Sequence, residues 1–332
     1  MKFLICLLFL FFNLILVGRS QDTISNAKNN YIDSRYIEQY SSIPTAYVSI
    51  YGKYNNISLI DTSGRILTYR PNISLSFGPG FGYKWLGIDL SFISFGSKNE
   101  NIYGKTKKID IQSHFYLKRF IADLIYQDYK GFYLDSMITK LKDTSINLHR
   151  VIIHPDINQQ SIGGSIMFFT NYRKFSFKST FSQTEFQKKS AGTWAFGLSS
   201  HYLSIYSNTC LIDDSVKKYF DSTSYYKNIT SINVGLIGGY FHTFTLHRWF
   251  STISLLGGFD GKYGYYILEN NDKFKDTVNF SGHLQVRFGI GYNSNRVYFG
   301  FNLIGDGYFL TNSKQDYGTL RFYFGYRFTP KK

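Results

Sequence analysis

The chain has 332 residues and a formal net charge of +15, and aromatic residues make up 19% of it, including 32 Phe and 29 Tyr. Phe and Tyr favour strands, whereas helices favour Leu, Ala and Glu, so this composition excludes a mainly helical protein. The positive charges are scattered and accompany no nucleic-acid-binding motif, which argues against a nucleic-acid partner.

The first 20 residues are predicted to form a signal peptide that is removed on export. Lys2 precedes an apolar run over residues 3–17, and small residues place the cleavage after Ser20. The run is short for a membrane-spanning helix, so a retained anchor is the less favoured alternative. Residues 21–44 are then expected to form an N-terminal segment in the periplasm.

Alternation between apolar and polar residues is clearest from Val278 to Asn293. One face is apolar and includes Leu284, whereas the other is polar or small and includes His283 and Arg287. Such a period of two predicts a strand. The same pattern recurs in residues 72–83, 108–117 and 319–328. The polar faces are too polar for a dry sandwich core, so we predict a transmembrane antiparallel β-barrel with lipid outside and a wet lumen inside.

Turn signals set the expected number of strands. Short connections are predicted at Lys84-Trp85, Lys118-Arg119, Arg173-Lys174, 245–248 and 293–295, and longer ones near 97–104, 131–161, 184–191, 213–228, 261–275 and 311–316. Bacterial barrels alternate short periplasmic turns with long outer loops. The alternation holds if 193–212 is two strands joined near Tyr202, which gives 14 strands, with 12 as the alternative.

The predicted barrel covers residues 45–328 and leaves a tail at 329–332. The first strand is expected near 45–60. The longest loop, 131–161, contains its own apolar residues, so it either folds into the barrel mouth or stays an external loop.

The three Trp residues are predicted to mark the membrane interfaces. Trp85 and Trp249 follow short turns, and Trp194 follows a longer loop, each at the start of a predicted strand. Amphipathic rings at strand ends are typical of the aromatic girdles of membrane barrels. The alternative is that these are ordinary core residues.

Four short patches, in this order and spacing, resemble a family of uncharacterised outer-membrane proteins. They are Tyr-Ile-Glu-Gln-Tyr at 36–40, Tyr-Arg-Pro-Asn at 69–72, Gly-Lys-Thr-Lys-Lys-Ile-Asp at 104–110 and Lys-Gly-Phe-Tyr-Leu at 130–134. The family is a domain of unknown function typical of Bacteroidetes-type Gram-negative bacteria, and the resemblance runs from about Tyr31 to the end. It implies a barrel in the cell outer membrane and no assigned activity.

The last predicted strand also resembles the aromatic-ended signal read by the barrel-assembly machinery, although Phe328 is followed by four further residues. That machinery, outer-membrane lipid and lipopolysaccharide are therefore the expected partners, and a protein partner is left unidentified.

Charged side chains on the predicted polar faces are the candidate functional residues. The predicted lumen-lining residues are Lys108, Asp110, His114, Asp123, Lys178, His283, Arg287 and Arg321, to which the pattern adds Asp89 and Arg327. The excess of Lys and Arg over Asp favours anions if the lumen is open. The alternative is that these charges pair across strands and act as struts.

No catalytic site, metal site or cofactor is expected. Asp110 and His114 share a strand face but lie about 13 Å apart at strand spacing, and the seven His residues lack metal-ligand spacing. The glycine-rich segment at 78–82 opens no helix, so it is not a phosphate loop. We therefore predict a passive channel or solute transporter that prefers anions if its lumen is open. The alternative is a non-enzymatic surface or envelope-assembly component that binds through its loops, and a barrel hydrolase is less favoured.

Overall fold

The computed structural model describes residues 32–83, 86–89, 93–117, 119–135, 151–275, 279–309 and 313–329, without the side chains of 86–89, 93 and 94. The predicted signal peptide, Trp85 and the side chain of Asp89 thus lie outside the described part. No helix in the described part is long and apolar enough to cross a membrane.

The described residues form seventeen strands and three one-turn α-helices. The strands are β1 Ile37–Gln39, β2 Thr45–Ile60, β3 Ile66–Arg70, β4 Leu75–Tyr83, β5 Leu86–Asp89, β6 Ile93–Phe95, β7 Lys107–Tyr116, β8 Phe120–Leu134, β9 Ile153–Phe169, β10 Glu185–Gln187, β11 Ala191–Tyr206, β12 Tyr226–Leu246, β13 Trp249–Leu268, β14 Lys273–Lys275, β15 Asn279–Asn293, β16 Val297–Phe309 and β17 Ser313–Arg327. The helices are α1 Glu100–Tyr103, α2 Lys178–Phe181 and α3 Asp214–Lys217, and a 3-10 turn covers Ser222–Ser224.

Antiparallel pairing closes ten of these strands into a barrel. The ring runs β2, β3, β8, β9, β11, β12, β13, β15, β16 and β17, and β17 pairs with β2 from Ser313↔Leu59 to Arg327↔Thr45. Outside the ring, β4 pairs with β2, the interrupted strand β5–β6 pairs with β4, and β7 pairs with β8. Closure removes the open sheet edges that a membrane cannot accommodate.

The predicted count of 14 strands is wrong, and the ring also differs from the alternative of 12. No turn occurs at Tyr202, because Ala191–Tyr206 is one strand whose alternation continues through that residue. A turn does form at Arg173-Lys174, but it leads into no barrel strand and the loop predicted at 184–191 is wrong, because residues 170–190 form a single connection that turns into the barrel.

One end of the barrel has short connections, and we call it the short-turn end. Leu117, whose N–H donates to the carbonyl of Phe120, and the turns 247–248 and 294–296 lie there, together with Pro44 and the last residues of β17. The opposite, long-loop end holds the connections 207–225 and 269–272 and the ends of β8 and β9, which extend to Leu134 and Ile153 and so shorten the loop predicted at 131–161.

Two apolar clusters fill the two ends of the lumen. At the short-turn end, residues 170–190 (the plug) pack against the wall. This cluster contains Ile121, Met167, Phe169, Phe175, Phe177, Phe181, Ala191, Ala195, Ile237, Phe241 and Leu256. At the long-loop end, residues 207–225 (the cap) bury Leu211, Val216 and Phe220 against Tyr69 and Ile229. The sequence had predicted a wet lumen, but both ends are packed with side chains.

Candidate functional site

A buried ion pair crosses the lumen just above the plug. Arg287 on β15 donates through Nη2 to Asp123 on β8, although four ring strands separate β8 from β15 on one side. His114 Nδ1 lies 2.6 Å from the other carboxylate oxygen of Asp123. Gln285 accepts from Nε of Arg287 at 3.1 Å, and the guanidinium lies 5.3 Å from the centre of the Phe177 ring in the plug. The structure thus brings three of the predicted lumen residues into one strut.

A second ion pair lies further from the plug. Lys53 Nζ donates to Asp110 at 2.8 Å, and Gln127 and the hydroxyl of Tyr129 donate to the other oxygen of Asp110. Lys108 lies on the same inward side of β7 and is half-buried. Lys53 and Tyr129 were not among the predicted site residues, although alternation along β2 and β8 could have placed both in the lumen.

An aromatic stack crosses the lumen nearer the long-loop end. The Tyr308 ring lies between the rings of His201 and His283, 4.1 Å from each, with interplanar angles of 12° and 13°. His283 Nε2 is 3.4 Å from Asp306 Oδ1, and Gln285 donates to the same oxygen at 2.6 Å. This layer connects β11, β15 and β16, so it holds opposite walls together. Sequence analysis identified His283 but missed the inward side of β16.

Two further arginines hold the plug in place. Arg327 donates to the carbonyl oxygens of Gln183 and Ser294 and lies 4.4 Å from the rings of both Tyr40 and Tyr298. Arg321 lies over three tyrosine rings and is 3.5 Å from the carbonyl oxygen of Phe181. Main-chain carbonyls of the plug are thus matched by donors on the wall.

Lys178 is the one predicted lumen residue that the structure does not place on a barrel strand. It lies in α2 of the plug, half-buried, while its neighbours Ser179 and Thr180 are buried. Thr180 makes a 2.6 Å hydrogen bond with Thr252 on β13, and its carbonyl accepts from Asn302 at 3.1 Å. The prediction failed because the polar and apolar residues of this segment alternate as they do in a strand.

The space left in the middle of the lumen is very small. A polar cavity of about 20 Å³ remains between Asp123, Arg287, His283, Asp306 and Tyr317. One probe sphere of water occupies roughly 10–15 Å³, so the cavity is the size of a single water molecule. In the described part of the chain, Nη1 of Arg287 has no hydrogen-bond partner and borders this region. A solute larger than water does not fit in this cavity.

A titratable pair lies under the cap, beyond the 9–11 residues with which a tilted strand crosses a bilayer. His154, close to the long-loop end of β9, is buried with its Nε2 3.6 Å from Asp213 Oδ2 and its ring edge-on to Tyr69. Burial lowers the pKa of His154, against the opposing effect of Asp213 and Asp156. Asp156 in turn accepts from the hydroxyl of Ser207.

Aromatic residues surround the short-turn end on the outer face. Trp194 and Trp249 are about half exposed, at 54% and 50%, and both lie at this end. Trp194 contacts Tyr240, and Trp249 contacts Tyr292 and Phe299. The sequence had placed Trp194 after a long outer loop, but the connection before it is the plug, which returns to the same end.

A closed antiparallel ring with an apolar outer face and a polar inner face defines a barrel of the outer-membrane type. The chain belongs to the family DUF4421, a domain of unknown function, which matches residues 31–328. This confirms the resemblance identified from the four sequence patches. A search of curated proteins gives no match.

Similar solved structures are also membrane proteins. They include the outer membrane protease OmpT from Escherichia coli (8% identity, TM-score 0.35, covering 88% of this chain and 98% of that one). The CymD monoaromatic hydrocarbon channel has 7% identity and a TM-score of 0.26, covering 87% and 90%. The P. putida toluene transporter TodX has 8% identity and a TM-score of 0.20, covering 86% and 89%. Likenesses this weak say nothing about the activity of this chain.

Proposed function

We propose that the protein is a closed outer-membrane barrel that acts as a non-enzymatic surface or envelope-assembly component and binds a partner at its long-loop end. The observation that carries this proposal is the packing of the lumen, in which plug, struts and cap fill both ends and the central cavity between the struts has about 20 Å³. A passive solute channel needs a continuous path, and a path of that size passes no ordinary solute. By the rule that short turns face the periplasm, the long-loop end faces outward.

The long-loop end is built to present a defined surface. The cap is tied to the barrel by the hydroxyl of Tyr69, which donates to the carbonyl of Leu211 at 2.7 Å, and by the ion pair between Arg65 and Asp221 at 3.2 Å. Lys217 links the cap to the neighbouring connection through Glu269 at 2.6 Å. A loop fixed by such contacts loses little conformational entropy when a partner binds, which favours recognition.

Conductance in planar bilayers tests the closed state. We expect no steady conductance from the folded protein, with heat-dependent migration on a denaturing gel as the check that it is folded. A variant in which residues 170–190 are replaced by a short turn should conduct, provided that it also shows heat-dependent migration. Steady conductance by the unaltered barrel would contradict the proposal and would favour the passive channel predicted from the sequence.

Partner binding is tested by a photo-crosslinking residue placed at Asn270, in the exposed connection 269–272. The matched control carries the same residue at Phe259, which is 61% exposed on the apolar outer face. We expect a discrete protein adduct in intact cells from Asn270 and none from Phe259. Equal labelling at the two positions would show that the long-loop end has no specific partner.

A gated channel is the second candidate, and the attachment of the plug favours it. The plug joins the barrel wall through side-chain contacts, such as those of Thr252, Asn302 and Arg327, rather than through strand pairing with the ring. Such contacts break without disrupting the ring. Conductance that appears in the unaltered protein only after a voltage step or an added solute would support this candidate.

A further inference from the structure

An apolar groove lies on the outer face of the barrel near the short-turn end. It is a shallow, open depression of about 520 Å³, bordered by Trp249, Phe299, Phe322, Phe324 and Val48. Four of these five side chains are 40–55% exposed. Its lining residues come from six strands, β13, β15, β16, β17, β2 and β4.

A glycine pair forms part of the floor of this groove. Gly291 on β15 pairs with Gly300 on β16. A Cβ on Gly300 would lie 2.4 Å from the carbonyl oxygen of Ile290, and a Cβ on Gly291 would lie 2.4 Å from that of Phe299. Real Cβ atoms do not approach so closely, so only glycine fits here. Both Cβ positions point to the inner face, towards the buried Phe250 and Tyr323, so on the outer face the groove meets bare backbone.

The connections at the short-turn end are strongly basic. Exposed or partly exposed cations occur there at Arg119, Arg173, Lys174, Lys188, Lys189, Arg248 and Arg296. The acidic residues described at this end are Asp33, which pairs with Arg35, Glu38, which pairs with Lys188, and Glu185, which is buried. Cations therefore form a ring just beyond the aromatic residues of the interface.

Arg296 is the cation best placed beside the groove. It is exposed in the turn 294–296, three residues before Phe299, which is about 10 Å at strand spacing. Its Nε donates to the hydroxyl of Thr329 at 3.3 Å, and it forms no ion pair with an acid of the described residues. A phosphate could thus meet this guanidinium while an attached acyl chain lies in the groove.

We propose that the groove and the basic turns bind one anionic phospholipid, with an acyl chain in the groove and the phosphate at Arg296. This site rests on the proposed insertion into a membrane, and the lipid would belong to the periplasmic leaflet. A second copy of the chain is a poorer occupant, because a self-complementary interface would bring two basic rims together. Anionic lipid complements the same charges.

Quenching of Trp249 by brominated lipid tests the site. A variant with Trp85→Phe and Trp194→Phe leaves Trp249 in the groove as the reporter, and Trp85→Phe with Trp249→Phe leaves Trp194 as the matched control at the same end. Each is refolded into phosphatidylcholine vesicles containing equal fractions of brominated phosphatidylglycerol or brominated phosphatidylcholine. We expect phosphatidylglycerol to quench Trp249 severalfold more strongly than phosphatidylcholine at low mole fraction.

Two substitutions test the contact with the lipid headgroup and the contact with the acyl chain separately. Arg296→Gln should reduce the preference for phosphatidylglycerol at Trp249 and leave the quenching of Trp194 unchanged. Val48→Phe narrows the groove and should reduce quenching of Trp249 by both lipids, whereas Val234→Phe, at an exposed position on β12, should not. Excess inorganic phosphate should leave the preference intact, since it carries no chain.

The outcomes distinguish failure of the site from failure of membrane insertion. Quenching of Trp194 together with equal quenching of Trp249 by both lipids would overturn the lipid site alone. An unchanged preference after Arg296→Gln would also overturn it. Absence of quenching at both tryptophans would overturn insertion as well as the site. Protection of Trp249 from both lipids in a protein that sediments as a dimer would assign the groove to a second copy.

Discussion

Removing the carboxylate of Asp123 should destabilise the barrel more than any other single change in the lumen. The side chains of Asp123 and Arg287 are 9% and 1% exposed, and their contact spans the lumen. Asp123→Asn leaves the Arg287 guanidinium buried without its counter-ion. Breaking a buried ion pair in this way costs about 3–5 kcal/mol of unfolding free energy.

The opposite change should cost less, because Asp123 has a second partner. In Arg287→Met the carboxylate keeps its hydrogen-bond partner His114 Nδ1 at 2.6 Å. We expect a loss of about 1–3 kcal/mol, in the range for a lost charged hydrogen bond. The double variant leaves no buried guanidinium, so its loss should fall well below the sum of the two single losses.

Urea-dependent unfolding in lipid vesicles, followed by heat-dependent gel migration, measures these free energies. The coupling energy is the difference between the loss in the double variant and the summed losses of the single variants. Additivity within about 0.5 kcal/mol would refute the strut, since independent sites add to that accuracy. A larger loss from Arg287→Met than from Asp123→Asn would refute the role assigned to His114.

Two other predictions concern the outer face and the cap. Leu255→Arg, midway along the lipid-facing side of β13 where Leu255 is 61% exposed, should cost about 2–4 kcal/mol in the same assay, whereas Ser251→Arg near the interface should cost about 0–1 kcal/mol; equal losses would mean that the depth is misassigned. Burial lowers the pKa of His154 below that of the unfolded chain, so the unfolded state takes up the proton first as pH falls below about 6.5. The amide hydrogens of the cap, residues 207–225, should therefore be less protected at pH 5.5 than at pH 7.5, when each exchange rate is divided by the intrinsic rate at its pH, and a His154→Gln variant with the same pH dependence of protection would contradict this.

The alternation of apolar and polar residues correctly predicted which side chains face the lumen, because successive side chains of a strand point to opposite faces of the sheet. On β15 the side chains of His283 and Arg287 point inward and are buried, while Leu284 is exposed on the outer face. Residues from β7, β8 and β15 could therefore be assigned to the lumen without any knowledge of pairing. Which of these charges would meet could not be predicted, because the contact of Asp123 with Arg287 depends on the closure of the ring.

The plug could not be predicted, because its local pattern fits two structures. Phe175 and Phe177 alternate with polar neighbours as in a strand, whereas the spacing from Phe177 to Phe181 also fits one helical turn. The burial of the Phe side chains determines which of these two structures forms. In the structure they pack against Phe169 and Phe241 inside the barrel instead of facing lipid, and the segment ends as β10 paired with β1.

The distribution of charge bears directly on where this protein can act. Inside the barrel, Asp123 with Arg287 and Asp110 with Lys53 neutralise one another, so these pairs add nothing to the net charge and leave little field to attract ions. Arg327, also inside the barrel, contacts carbonyl oxygens and tyrosine rings, and exposed cations such as Arg296 lie on the connections of the short-turn end. Because the plug and the cap fill the two ends of the lumen and ion pairs cross its middle, we expect recognition at the two ends. The short-turn end then suits an anionic lipid surface, and the ordered cap at the long-loop end suits a macromolecular partner.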